Sequence, residues 1–478
     1  MANSTQSVNL FGMTEETKRP QFKDQGGASS MNPPALVRFA MSKVISRIAS
    51  AAAQRKGRAK TERARVAKGA RRTVDYLHQV SDGYSHLAAQ LLRPLLAAYD
   101  VDLVCHLVQE VRDNNLPEPE LLLSLSRIDA QAVAADYGLN FPRADKAPDS
   151  KHIDLAERIL AAVDNANFPE VVVAVGQAVW SGDAATLDAL ASEHSSLPRE
   201  QADAIITNGN QRRDKLGHYS GGMFHFGGQW YWGADRFYHL ENWLIETGAQ
   251  TNADAPLVCP RPAIESGPRK DNGSITLEFY PSMRSPYTSM IFDTTVALAR
   301  DVGVNLVVRP VLPMVMRGVP VTQRKGIYIF KDTAREAETL GLVWGNMYDP
   351  IGSPVKNCYS LYPWACQQGK GTELLSAFAN LAFFEGVNAN NDRGMQAVVE
   401  RAGLSWAEAK SIMGNTDWEI EIEANRLAMY EKGLWGVPCY RLVGADGEEI
   451  LALWGQDRLW LVAKEIQRAL GRTESRSR

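Results

Sequence analysis

An internal repeat that keeps one register for over sixty residues constrains this chain more than any other feature. Tyr76 falls on Phe279, 203 positions later, and in the same register Tyr84 falls on Tyr287, Asp129 on Asp332, Ala134 on Ala337 and Gly138-Leu139 on Gly341-Leu342. Further along, the stretch from Gly217 to Gly222 lies opposite Gly433 to Pro438. Trp232-Gly233-Ala234-Asp235-Arg236 lies opposite Trp454-Gly455-Gln456-Asp457-Arg458, where the offset has grown to 222, in part through an extra turn, Ala445-Asp446-Gly447-Glu448-Glu449. Self-similarity over the length of a domain means one architecture used twice. A chain of 478 residues has room for two or three cores but is too long for one.

The repeats are flanked by segments of different character. Residues 1–34 are rich in Ser, Asn, Gly and Pro without hydrophobic periodicity, which predicts disorder. From Pro34 to Arg72, Leu36, Phe39, Val44 and Ile48 recur at helical spacing and then yield to a dense run of Lys and Arg. This predicts a basic amphipathic helix within a solvated arm, with contact to nucleic acid or an anionic membrane as the alternative. Residues 251–273 contain Pro256, Pro260, Pro262 and Pro268 and read as a linker. The domains expected are therefore an arm (1–72), a first copy (73–250), the linker, a second copy (274–470) and a tail (471–478).

Within the second copy, Ile275 to Tyr280 alternates as a strand, Tyr287 to Asp301 carries a helical stripe, and Val304 to Pro310 reads as a buried strand. Residues 333–429 are helical in pattern. A hairpin from Cys439 to Leu453 and a helix from Leu459 to Leu470 close the unit. The order is β-α-β, helical insertion, β-β-α. The class expected is α/β. The five cysteines form no C-x-x-C pair and no zinc spacing, and the first residues lack a secretory pattern, so a cytoplasmic protein without metal is expected.

This order, with Val437-Pro438 entering the hairpin, is similar to the thioredoxin fold with a helical insertion, as in the DsbA family. Phe279-Tyr280 followed by Ser285-Pro286-Tyr287, then Arg309-Pro310, Lys325, Tyr328, Asp332, Arg335, Gly436-Val437-Pro438 and Trp454-Gly455-Gln456-Asp457-Arg458, resembles the branch of 2-hydroxychromene-2-carboxylate isomerases and kappa-class glutathione transferases. The resemblance spans residues 274 to 470 and implies two tandem thioredoxin-like domains. It implies glutathione as cosubstrate, Ser285 as the catalytic residue, and Val437, Pro438, Asp457 and Arg458 as glutathione contacts. Tyr287, Arg309 and Lys325 would line a substrate pocket. Each also has a bland role, since Ser285 and Asp457 suit helix N-termini and an X-Pro bond is where a cis turn costs least. The sequence departs from the family at Arg317-Gly318-Val319-Pro320, where an Asn before Pro is usual, and around Asn425.

The first copy differs at both key positions. Asp82 faces Ser285 and Gly222 faces Pro438, so a noncatalytic copy is expected. His218, Tyr219, His225, Trp230, Tyr231 and Trp232 suggest either a ligand pocket or an aromatic core. Three functions stay open: a glutathione-dependent isomerase or transferase acting on a small electrophile, a DsbA-type thiol-disulfide oxidoreductase, and a noncatalytic binding protein. The two copies could pack as an intrachain pseudo-dimer, and a homodimer is also possible.

Overall fold

The computed structural model describes residues 32–48, 50–111, 115–116, 118–142, 146–317, 319 and 321–476. Residues 1–31, for which disorder is expected, lie outside this set, as do Gly318 and Pro320 of the family departure. The chain forms two compact units. One is Ala51–Glu265, and the other is Ser266–Arg478 together with the N-terminal helix α1 (Ala35–Ile48).

In the first unit, α2 (Ala51–Ala67) precedes β1 (Thr73–His78), α3 (Gly83–Ala89), α4 (Leu92–Ala98) and β2 (Asp102–Leu107). The helical insertion follows as α5 (Pro119–Ala134), α6 (Ser150–Ala162), α7 (Phe168–Ser181), α8 (Ala184–His194) and α9 (Arg199–Leu216). The hairpin β3 (Met223–Phe226) and β4 (Gln229–Trp232) leads into α10 (Phe237–Glu246). The second unit runs β5 (Thr276–Tyr280), α11 (Pro286–Val302) and β6 (Asn305–Val308). Its insertion comprises α12 (Gln323–Thr339), α13 (Ser353–Gln367), α14 (Gly371–Phe383), α15 (Asp392–Arg401), α16 (Trp406–Ile412) and α17 (Trp418–Glu431). It closes with β7 (Cys439–Val443), β8 (Glu449–Trp454) and α18 (Leu459–Arg476). The predicted tail is thus largely a continuation of the last helix, with residues 477–478 outside the described set.

The two sheets share one design, with orders β2-β1-β3-β4 and β6-β5-β7-β8. In each, the first strand pairs parallel with the second and antiparallel with the first hairpin strand. Aromatic side chains on the central strands are buried beside their cross-strand partners: Tyr76 lies 5.0 Å from Phe224, and Phe279 stacks on Tyr440 at 5.4 Å. Burial of such side chains contributes about 2 kcal/mol each. Tertiary bonds repeat as well. Tyr84 Oη donates to Asp129 Oδ2 at 2.7 Å, and its counterpart Tyr287 donates to Asp332 Oδ2 at 2.8 Å.

Each central strand also carries a buried acid at the same register, Asp75 and Glu278. Asp75 meets His106 and Arg212 directly, with His225 at 3.5 Å. Glu278 accepts from Arg309, Arg441 and Tyr280. Burial would raise both carboxyls, but these partners outweigh it and hold both below the usual range.

The arm differs from the expectation. Two helices replace one, and α1 turns its polar side inward. Arg38 is 1% exposed, its Nη1 donating to the carbonyls of Asp349 and Ile351. Ser42 Oγ accepts from Asp349 N at 3.0 Å, and Ser46 Oγ exchanges bonds with Met347. Positions 38, 42 and 46 fall one above another on a helix, and this row saturates an irregular segment whose backbone would otherwise be buried unpaired. The apolar row is exposed: Leu36 is 78% exposed and Val44 58%. α2 has no buried residue and touches α10 through Arg58–Glu246.

The predicted linker is likewise pinned. Glu241 accepts from the main-chain N–H of Val258 and Cys259, and Cys259 is buried. Gln467 bonds Ser266 and Arg269. Of the aromatic cluster, His218 stacks on Tyr219 at 4.6 Å and lies 4.7 Å from Trp230, and Tyr219, Trp230 and Tyr231 are buried, forming core. Among the described residues no helix is long and apolar enough to cross a membrane.

Candidate functional site at the head of α11

Strand β5 ends at Tyr280, and a short turn later the chain enters α11. Ser285 is the N-cap, with extended backbone, and its Oγ accepts from Thr288 N at 3.2 Å. Pro286 at the first helical position has no N–H to leave unpaired. The Ser285 hydroxyl is therefore used as an acceptor by its own helix, which leaves its proton to donate elsewhere. The main-chain N–H groups of the first turn and the helix dipole make this a favourable place for an anion.

The turn is held from behind. Arg284 Nε and Nη2 each donate at 2.9 Å to the two oxygens of Asp349, which is 1% exposed. Burial alone would raise the Asp349 carboxyl; the Arg284 charge and bonds, Ile351 N and the Arg38 charge outweigh it and hold it below the usual range. Met283 N donates to Tyr359 Oη, which donates to Val311 O. Sequence reading missed Arg284, Asp349, Tyr359 and Arg38. Their partners lie far apart in the chain and no local spacing signals them.

The Val437–Pro438 bond is cis. The β5–β7 ladder ends at Tyr280↔Cys439; just before it Pro438 O accepts from Gly455 N at 2.9 Å, and Val437 lies outside the ladder. Gly222 in the first unit makes the same bond, to Gly233 N at 2.8 Å. A Cβ added to Gly222 would lie 3.0 Å from Asp82 Oδ2, so the counterparts of Pro438 and Ser285 are neighbours there.

The other predicted site residues divide. Lys325 Nζ lies 5.4 Å from the centre of the Trp435 ring, two residues from Val437. Asp457 and Arg458 form the turn before α18, and α11 packs against that turn. Arg458 is buried and Asp457 lies 3.6 Å from it. Tyr287 is tied to Asp332, itself bonded to Arg335 Nη2. Arg309 places Nε and Nη2 on Glu278 in the sheet.

All five cysteines are free, and burial pushes every thiol above its ordinary value. Cys439, the one beside the cis proline, donates Sγ–H to Gly436 O at 3.0 Å. None has the lowered pKa of an attacking thiolate. Among the described residues no cluster of His, Cys, Asp and Glu could hold a metal.

The unit that carries this strand order, the helix capped directly after β5 and the cis proline is matched by one family model, which covers residues 276–467 and describes a DSBA-like thioredoxin domain. Residues 276–467 form a DSBA-like thioredoxin domain. No curated protein sequence matches the chain. Similar solved structures include a 2-hydroxychromene-2-carboxylate isomerase, 18% identical with a TM-score of 0.35, over 42% of this chain and 99% of that one. Another is the cytosolic disulfide reductase DsbM from Pseudomonas aeruginosa, 17% identical with a TM-score of 0.28, over 41% and 99%. A periplasmic thioredoxin-like protein from Salmonella enterica serovar Typhimurium is 10% identical with a TM-score of 0.26, over 42% and 88%.

Proposed function

We propose that the DSBA-like domain is a glutathione-dependent isomerase or transferase acting on a small electrophile, and that residues 73–250 are a degenerate copy of it. The observation that carries this reading is Ser285, a hydroxyl capping a 17-residue helix at the family's reactive turn, where no cysteine stands. The glutathione sulfur would lie at the helix N-terminus. There the Ser285 O–H and the α11 dipole lower its pKa and raise the thiolate fraction. Val437 offers its main chain beyond the ladder to the cysteinyl backbone of glutathione, in the manner of strand addition. Asp457 accepts from the γ-glutamyl ammonium, with Arg458 holding the turn. Lys325 lies on the same side as Trp435 and suits an acidic group of the substrate.

In the reaction the thiolate forms an S–C bond to an electrophilic carbon as the adjacent π bond breaks. Loss of the sulfur after bond rotation gives isomerisation, and protonation of the adduct gives conjugation. The thiol-disulfide alternative would require a low-pKa cysteine, and each of the five is raised by burial.

The test is calorimetric titration of the full chain with glutathione, with turnover of a chromene carboxylate in its presence. Ser285→Ala should lower that turnover by roughly a hundredfold, the scale of losing one preorganised donor. An undiminished rate together with absent glutathione binding overturns the proposal.

A further inference from the structure

The Asp75 cluster of the first unit opens on a cavity of about 380 Å³, away from the Asp82 turn, which the proposed chemistry does not use. That volume lies within the usual range of small-molecule sites. Its floor is apolar, with Leu107 and Phe168 buried, and its mouth carries the exposed Asn208 and Ile205. His106 and Arg212 complete the wall.

These two are held by one carboxylate. Asp75 Oδ1 accepts from His106 Nε2–H at 2.8 Å, which commits that ring nitrogen; Nδ1 donates to a ligand carboxylate when the ring is the imidazolium. Arg212 donates Nε and Nη2 to Asp75 at 3.0 Å each. A guanidinium has five N–H donors, so three remain. The backbone geometry is equally fixed. A Cβ on Gly209 would lie 1.9 Å from Leu107 O, so only glycine lets α9 approach β2 closely enough to bring Asn208 and Arg212 over the strand. In the second unit the register position of His106 is held by Arg309, which spends Nε and Nη2 on Glu278. The shorter imidazole in the first unit leaves space and an unspent nitrogen.

We propose that this cavity binds a small organic acid with an apolar body, its carboxylate received by Arg212 and by Nδ1–H of the His106 imidazolium and its body laid on Leu107 and Phe168. Asp75 positions both donors while compensating one charge, so selectivity for the acid comes from directed hydrogen bonds more than from net charge. This proposal is independent of glutathione chemistry in the other unit.

Benzoate is the probe and benzamide its neutral counterpart, titrated into the full chain by calorimetry and followed by the His106 ring resonances. One benzoate should bind per chain, with benzamide weaker by about tenfold or more, the scale of hydrogen bonds to a charged group. Asn208→Glu, at an exposed position, places a negative charge at the mouth and should weaken benzoate by about tenfold while sparing benzamide. His106→Gln should lower benzoate affinity similarly. No benzoate binding at millimolar concentration, equal affinity for benzamide, or benzoate affinity unchanged in both variants overturns the proposal.

Discussion

Asp82 and Ser285 cap corresponding helices, and the difference between them is a charge. Asp82 Oδ2 accepts from Ser85 N and Oγ, yet burial pushes its carboxyl up to about 6 from an ordinary value of 3.8. Between those values the folded state holds a proton that the unfolded chain has lost. Its stability contribution therefore declines as pH rises from about 4 to about 6, and the penalty is complete above that. Asp82→Asn keeps an acceptor for Ser85 and removes the penalty. It should stabilise the first unit by on the order of 1–2 kcal/mol at neutral pH and by nothing below about pH 4, as urea denaturation at the two pH values would measure. A second comparison tests the likeness of the units. Tyr84→Phe and Tyr287→Phe each delete a bond to a buried aspartate. Each should cost about 1.5–3 kcal/mol in its own unit, and a loss in one unit only would argue against equivalent roles. Both tyrosines and both aspartates stand at one sequence offset, so the sequence marks this bond as four matched positions. Ser285 and Pro438 are legible for a similar reason, being marked by short motifs. Arg284–Asp349 is not, because its partners are 65 residues apart and only the fold brings them together.

At the scale of elements, the strands and the helical insertion follow from periodicity, whereas α1 does not follow from its own. Apolar spacing predicts which face is buried only when the neighbouring surface is apolar. Here the neighbouring surface is the main chain of residues 347–351, whose carbonyls and N–H groups need partners more than Leu36 and Val44 need burial. Arg38 answers two carbonyls at once and is itself enclosed, with burial the largest influence and lowering its pKa. Arg38→Ala should destabilise the second unit by about 2–4 kcal/mol by leaving those acceptors buried and unpaired. It should also raise hydrogen exchange through 347–351 and the 282–285 turn, since Asp349 anchors Arg284. Exchange raised in α1 alone would show that the helix does not support the turn.

At the scale of the molecule, the chain passes from one unit to the other twice. α1 belongs to the second unit and α2, which starts three residues after α1 ends, belongs to the first; the return comes after Glu265. The second unit is consequently discontinuous in sequence, and residues 266–478 alone lack a helix that fills part of its surface. The matched sequence register could not reveal this, because α1 precedes the strands of both units and has no counterpart between them. A fragment of residues 266–478 should unfold at lower denaturant than the same unit in the full chain. A peptide of residues 32–48 should restore the difference in proportion to its concentration, since a ligand that binds only the folded state stabilises it by mass action. The same peptide carrying Arg38→Ala should not. Fluorescence of Trp344, which stacks on Phe383 in the cluster that Ile45 joins, reports the docking directly. Equal denaturation midpoints for fragment and full chain would mean that α1 rests on the unit without contributing to it.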